Sequence, residues 1–143
     1  MKIVTKINPE DIISPEGVKL FSFNELACRS SGIYSFHGDF TDKLIELRLK
    51  FNKSMSVTSA SRSFEHNTKI GGHPRSLHIY DKPVRENQKG SLAIDVKSQG
   101  AGYNLELIKC AVDLGWSVGV AKTFIHLDRR DMVGLQQGIF GYG

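Results

Sequence analysis

Hydrophobic residues recur along this chain with two different periods, and these periods predict where helices and strands lie. Between residues 39 and 51, Leu44 and Leu47 fall at helical spacing among mostly charged neighbours, which predicts an amphipathic helix. Ser22 and Glu25 have the spacing of a capping box, so we expect a short helix to begin there.

A third helix and four strands follow from the same reasoning. Asn104 is a residue type that caps helices, and Gly115 is well placed to end the helix that it would begin. Strands are predicted around SMSVTSAS, SLAIDVK, WSVGV and TFIHLD. In SLAIDVK, Asp95 is expected to face away from the aliphatic residues, and in TFIHLD the side chains of His126 and Asp128 share one face.

The remaining segments are expected to be loops. Residues 1–20 are predicted to be irregular or extended because of Pro9 and Pro15, and residues 62–90 are polar and contain several glycines and prolines. The order of elements predicts an α+β fold, with helices packed on a small antiparallel sheet. Since no repeat or linker is visible, we expect one domain spanning residues 1–143.

Composition narrows the classes of function. The chain has 143 residues with 40% hydrophobic and 24% charged residues, which is typical of a globular protein. It has neither a stretch that could cross a membrane nor a secretory signal, so we expect synthesis in the cytoplasm and no membrane insertion. The net charge of +4 suits an anionic partner, but the basic residues are dispersed, so nucleic acid is not expected. Cys28 and Cys110 are expected to be free thiols.

Three residues stand in contexts that suit metal ligands: His78 in GGHPRSLH, Asp95 in SLAIDV and His126 in TFIHLD. Two imidazoles and one carboxylate on a zinc ion leave a fourth position open for water, as in catalytic sites. Zinc lowers the pKa of its water to about 7 and polarises a carbonyl, but a neighbouring base must still accept a proton. Asp128 is the candidate base because it shares a strand face with His126.

Five segments around these residues resemble, in order, those of zinc peptidases grouped with D-alanyl-D-alanine carboxypeptidases. They are FSFNELACRSSG, DKLIELRLKFNKSMSVTSASRS, GGHPRSLH, LAIDV and GWSVGVAKTFIHLDRR, and together they cover roughly residues 20–130. The resemblance is greatest to short phage-type members that cut peptidoglycan stem peptides. It implies a zinc domain with the hedgehog/DD-peptidase fold, in which His78, Asp95 and His126 bind Zn²⁺.

The resemblance also implies roles for polar side chains beside these ligands. Arg62, in SASRS, falls where the family places an arginine that binds substrate and stabilises the oxyanion. A guanidinium suits that role because it can donate two hydrogen bonds to a negative oxygen. Ser76 either bonds to the site or only shapes its loop, and His73 is a candidate substrate contact.

The chain departs from the family pattern in the spacing of its first two ligands. Residues 79–94 separate His78 from Asp95, a longer gap than the family usually has. Insertions in loops cost little stability, and the charged residues 81–89 are expected to form part of the substrate cleft. Pairing His78 with Asp81 is the alternative, but it leaves the A-x-D strand unused.

The second departure concerns the base. Many relatives carry Glu or Asp three residues before the last histidine, where this chain has Thr123. Asp128, a histidine or another carboxylate must then accept the proton.

Two functions follow from these residues. The first is a zinc-dependent peptidase that hydrolyses amide bonds in peptidoglycan stem peptides or cross-links, either as an endolysin-type or virion-associated endopeptidase or as a carboxypeptidase. It would act as a monomer on the cell wall after release. The alternative is a catalytically inactive zinc scaffold that binds the wall or a protein partner, which Thr123 favours.

Overall fold

A computed structural model of the protein describes residues 9–82, 85 and 87–142. The helices of the described part are α1 (Phe23–Leu26), α2 (Phe40–Phe51), α3 (Phe64–Lys69) and α4 (Ala101–Asp113). Its strands are β1 (Ile12–Ile13), β2 (Lys19–Phe21), β3 (Val57–Ser59), β4 (Ala93–Lys97), β5 (Ser117–Val120), β6 (Phe124–Asp128) and β7 (Ile139–Gly141). A 3-10 helix, Arg130–Val133, lies between β6 and β7.

The strands form two sheets, and the larger one carries the site. Strands β1 and β2 pair antiparallel, and the five-stranded sheet has the order β3-β4-β6-β5-β7. The predicted α+β class is confirmed. The four predicted strands, β3 to β6, pair antiparallel as expected, and the edge strand β7, which was not predicted, adds one parallel pair with β5. A parallel pair needs a crossover, and the chain provides it through β6 and the 3-10 helix.

The register of β4 against β6 decides which residues share a face. Asp95 lies opposite His126, and Ala93 lies opposite Asp128. Directly opposed residues of an antiparallel pair point to the same side of the sheet, so these side chains share one face. The alternation of the sequence predicted the orientation within each strand, but not the pairing of the two strands.

The other face of the sheet belongs to the hydrophobic core. Ile94 lies opposite Leu127 and Val96 lies opposite Ile125, and all four side chains are fully buried. They share one apolar cluster with buried residues of α2 and α4, including Leu47 and Leu107. The helices therefore cover one face and leave the face with Asp95 and His126 for polar residues.

All three predicted helices are present, as α1, α2 and α4, with differences at their ends. The capping box of Ser22 and Glu25 is confirmed at the start of α1. Helix α4 begins earlier than predicted, after Gly100, and the Asn104 side chain accepts a hydrogen bond from Gln99 instead of capping the helix. Gly115, with φ of +96°, follows the end of α4 as expected.

One helix was missed, in the segment that the sequence predicted to be mostly loop. Helix α3 contains a single apolar residue, Phe64, so no helical period is visible in it. It is capped instead by Ser63, whose hydroxyl accepts a hydrogen bond from the His66 backbone at 3.0 Å. The predicted irregular segment 1–20 lies partly outside the described residues, and its described part contains β1 and β2.

Two further observations bear on predictions from composition. Cys28 and Cys110 are both free thiols, as expected. Among the residues that the structure describes, no helix combines the length and the apolar character needed to span a bilayer.

Candidate metal centre

The three predicted zinc ligands meet at one point on the polar face of the sheet. Nε2 of His78 lies 3.1 Å and Nδ1 of His126 lies 3.0 Å from Oδ1 of Asp95. One ligand atom from each residue lies within 4.8 Å of the others, and all three residues are buried. Asp81, the alternative partner of His78, is not part of this cluster, since its carboxylate accepts a hydrogen bond from the Phe64 backbone.

His78 reaches this point from a loop that is bonded to the strand-to-helix turn before α3. The backbone N–H of Arg62 donates to the carbonyl of His78 at 2.8 Å, and Tyr80 donates back to the carbonyl of Arg62 at 3.0 Å. Ser76 accepts a hydrogen bond from the His78 backbone at 3.2 Å. Ser76 therefore shapes the loop that carries the ligand, which is one of the two roles predicted for it.

The second ring nitrogen of each histidine has a fixed partner. Nδ1 of His78 donates to the carbonyl of Ala60 at 2.6 Å, and Nε2 of His126 donates to Oδ2 of Asp128 at 2.8 Å. When the imidazoles are neutral, these bonds leave Nε2 of His78 and Nδ1 of His126 with their lone pairs on the side of Asp95, where a metal would lie. A proton on either nitrogen is donated to Asp95 instead. Supports of this kind fix the tautomer and orientation of zinc-binding histidines, so the donor set fits Zn²⁺.

The surroundings of the cluster shift the pKa values of the two histidines in opposite directions. Burial lowers the pKa of His78, although Asp95 opposes the effect. Burial would also lower the pKa of His126, but its bonds to Asp128 and Asp95 outweigh burial and raise it. Burial would raise the pKa of Asp95, yet the two histidines hold it well below its usual range. A neutral His78 and an ionised Asp95 are the forms that a metal requires.

Asp128 is fully buried, and both of its oxygens are engaged. Oδ2 accepts from His126 and from Nη2 of Arg130, each at 2.8 Å, and Oδ1 accepts from Nε of Arg130 at 2.9 Å. Burial would raise the pKa of Asp128, but these two partners lower it. Since a weakly basic carboxylate is a poor proton acceptor at neutral pH, its predicted role as the base stays a prediction.

Arg62 lies behind Asp95. Its Nη2 is 3.4 Å from Oδ2 of Asp95, its Nη1 donates to Asn67 at 3.1 Å, and its Nε donates to Ser59 at 3.0 Å. These bonds orient Asp95, so that one oxygen faces the histidines and the other faces the guanidinium. The predicted contact of Arg62 with substrate is not tested by this arrangement and stays a prediction.

Asn67 is a site residue that sequence reasoning missed. It is buried, it accepts from Arg62, and its amide donates to the carbonyl of His73 at 3.0 Å. Gly72 packs directly against it, because a Cβ at that position would lie 2.3 Å from Oδ1 of Asn67. Its only sequence signal is its place within a short polar helix, which does not distinguish it from a surface residue.

An open cavity of about 420 Å³ adjoins the cluster. The predicted residues His73, Ser76, His126 and Asp128 line it. Arg62, His78 and Asp95 do not belong to the lining, so of the three predicted ligands only His126 borders the cavity.

Further arginine and aromatic residues line this cavity, and one of them comes from the segment 81–89 that the sequence predicted to border the cleft. Arg75, Arg85 and Arg130 contribute guanidinium groups, and Arg85 belongs to the inserted segment 81–89. Burial, Arg75 and Arg130 all lower the pKa of Arg85, as expected when cations lie near one another. Phe140 and Tyr142, at the edge strand β7, add an aromatic side.

Two buried histidines and a carboxylate beside an open cavity form a group that could hold a metal ion, and three protein ligands with an open position are the donor set of catalytic zinc sites rather than of closed structural ones. Residues 19–128 match the peptidase M15 family. The chain therefore belongs to this family of D-alanyl-D-alanine carboxypeptidase-like zinc peptidases, and it is a metallopeptidase with Zn²⁺ as its cofactor. None of the curated proteins compared with the sequence matches it significantly.

Proposed function

We propose that this protein hydrolyses amide bonds in the peptides of peptidoglycan, with His78, Asp95 and His126 as its zinc ligands. The observation that carries the proposal is the convergence of these three buried side chains beside an open cavity, within a chain of the M15 family. Bound zinc supplies an acidified water and a Lewis acid for the scissile carbonyl.

The residues around the ligands keep the centre in one arrangement. The carbonyl of Ala60 and the carboxylate of Asp128 each accept a hydrogen bond from a ring N–H, so the two histidines keep their other nitrogens toward Asp95. Arg62 takes the second oxygen of Asp95. Preorganisation of this kind lowers the cost of reaching the reactive geometry.

The cavity suits a peptide that carries carboxylates. Arg75 and Arg85 line it, and guanidinium groups bind carboxylates with paired hydrogen bonds, while Arg130, which is already paired with Asp128, adds positive charge. The stem peptides of peptidoglycan carry free carboxylates. This complementarity favours such peptides over neutral ones.

Two candidates remain for the residue that accepts a proton from water. Asp128 is the one that the sequence predicted, but its bonds to His126 and Arg130 favour a positioning role. His73 is the other, because it lines the same cavity and carries an ionisable imidazole. A contribution of Arg62 to the oxyanion, which the resemblance implied, requires that it exchanges one of its present partners on substrate binding.

The finer activity that we propose is that of a monomeric endopeptidase of the endolysin or virion-associated kind, with a carboxypeptidase as the alternative. Zinc-loaded protein is incubated with purified sacculi, with and without a chelator, and newly freed amino groups are measured. We expect release that the chelator abolishes. Mass spectrometry of the muropeptides then names the bond that is cut.

An inactive zinc scaffold is the second candidate function. Thr123 stands where many relatives have an acid, and the oxygens of Asp128 are occupied, which both favour it. Its signature is bound zinc and binding to sacculi without any release of amino groups. That result would contradict the peptidase proposal.

A further inference from the structure

The edge strand β7 brings two aromatic residues to the polar face of the sheet, outside the segment that matches the family. The family match ends at Asp128, whereas β7 begins at Ile139. Phe140 lies opposite Gly119 in the parallel pairing, and the Tyr142 backbone donates to the carbonyl of Val120 at 3.0 Å. This part of the cavity therefore lies outside the matched segment.

The rings can lie there because Gly119 has no side chain. Gly119 is paired with His126 on one side and with Phe140 on the other. A Cβ at this position would lie 2.5 Å from the ring of Phe140 and 2.9 Å from the ring of Tyr142. The two rings thus pack on the backbone of Gly119 and contact the ring of the ligand His126.

Tyr142 is held against the metal centre by aromatic contacts. Its ring centroid lies 6.4 Å from that of His126, 5.4 Å from that of Phe124 and 5.5 Å from that of Phe140. The residue is nonetheless 50% exposed and lines the cavity beside the cluster. A substrate in the cavity would therefore meet this side chain.

The hydroxyl of Tyr142 can act as a hydrogen-bond donor, because a phenol is protonated at neutral pH. Arg62, the donor that the family resemblance implied, is instead bonded to Ser59, Asn67 and Asp95 and does not line the cavity.

We propose that Tyr142 is a catalytic residue whose hydroxyl donates a hydrogen bond to the scissile carbonyl oxygen as negative charge develops on it. The inference rests on the proposed peptidase function. A donor that touches this oxygen strengthens its bond in the transition state and therefore raises kcat more than it lowers KM. Phe140, over whose ring Arg130 lies at 5.3 Å, supports the ring of Tyr142 from the side.

The test compares two single-hydroxyl deletions in the zinc-loaded full chain. Tyr142→Phe keeps the ring and removes only the donor. Tyr103→Phe is the matched control, because its hydroxyl donates to the carbonyl of Ser54 and its ring packs on Phe51. Zinc content and circular dichroism are measured for both variants to show that each is folded and loaded.

For muropeptide hydrolysis we expect Tyr142→Phe to lower kcat about 10²-fold with little change in KM, which is the usual loss of one oxyanion donor. Tyr103→Phe should leave both constants unchanged. An unchanged kcat in fully loaded Tyr142→Phe would overturn the inference while leaving the proposed function intact.

A second measurement does not depend on the substrate. Acetohydroxamate places an anionic oxygen on a zinc ion, and its Kd is measured by calorimetry for the same proteins. We expect about tenfold weaker binding to Tyr142→Phe than to the wild type, the loss of one charge-assisted hydrogen bond. If the wild type binds acetohydroxamate in this way but releases nothing from sacculi, the proposed function fails and the Tyr142 donor stands. Equal Kd values would overturn the donor.

Discussion

The two histidines of the centre are held in place in different ways. His126 lies in β6, where its pairing with Asp95 of β4 is one step in a regular antiparallel register. His78 lies in a loop and is held by backbone bonds to Arg62, which is distant from it in sequence. We call His126 and its support Asp128 the strand-held half of the centre, and His78 with its loop and Arg62 the loop-held half. The strand-held half is fixed by the many equivalent bonds of the sheet, whereas the loop-held half depends on a few specific bonds. We therefore expect the two halves to respond differently to substitution.

The largest effect is expected from Asp95→Ala, because both halves meet at this carboxylate. The substitution removes a ligand and also the charge that faces His78 and His126. Loss of an outer-sphere partner alone lowers metal affinity about 10- to 100-fold, so loss of the ligand should lower zinc affinity by more than about 10²-fold. Competition with a chelating dye measures it.

Asp113→Ala is the matched control for that experiment, since this carboxylate is exposed and lies 3.9 Å from Lys50 on the helical side. It should bind zinc as the wild type does. Stoichiometric, tight zinc binding by Asp95→Ala would show that the cluster is not the metal centre.

Asp128→Asn perturbs only the strand-held half. The amide cannot replace both carboxylate oxygens, so the orientation of His126 is weakened and zinc affinity should fall about 10- to 100-fold. Chelator competition measures this, with Asp131→Asn as a control that breaks the neighbouring pair with Arg129. If Asp128 acted only as a proton acceptor, zinc affinity would stay unchanged while hydrolysis was lost.

The pH dependence of zinc binding should also separate the halves. A metal needs neutral imidazoles, and the raised pKa of His126 means that protons compete for it at a higher pH than for His78. As pH falls below the pKa of His126, apparent zinc affinity should drop about tenfold per pH unit, with a steeper fall once His78 is also protonated. Chelator competition from pH 8 to pH 5 gives the slope.

The same titration on Asp128→Asn checks the cause. Because Asp128 helps to raise the pKa of His126, the onset of the fall should move to lower pH in this variant. An onset that does not move would mean that Asp128 does not set the protonation of His126.

The smallest effect is expected in the loop-held half, from Gly72→Ala. The new methyl group would meet the amide of Asn67, which holds Arg62, so overpacking should cost about 1 kcal/mol of unfolding free energy. Gly102→Ala in α4 is the control, because nothing lies within 4 Å of its Cβ position and alanine favours a helix. Urea unfolding compares the two. If Gly72→Ala has the same free energy of unfolding as the wild type, the loop adapts freely to the added methyl group.

The strand-held half is also the half that the sequence predicted best. Alternation predicted that Asp95 faces away from the aliphatic residues of LAIDV and that His126 and Asp128 share a face in TFIHLD, because the period of a strand is a local property. The capping box at Ser22 was equally local. His78 was singled out by the context of its loop and by the resemblance to the family, and not by any period.

What could not be predicted depends on contacts between distant segments. The occupation of Asp128 by Arg130 requires the turn after β6, and the role of Asn67 requires α3 to lie beside the loop of His73. Strand β7 shows no alternation, because its residues are exposed on both sides, so Tyr142 gave no signal in the sequence. In each case the role of the residue depends on which segment it contacts, and that contact is not encoded in the neighbouring sequence.

The bond from His78 to the carbonyl of Ala60 has a consequence for how this protein can change by mutation. A main-chain carbonyl is present whatever residue is encoded at that position, so no single codon change deletes the support of His78 outright. The support of His126 is a side chain, and one base change in the codon of Asp128 can remove it. Among descendants of this sequence, loss of the centre should therefore begin on the strand that holds it most regularly.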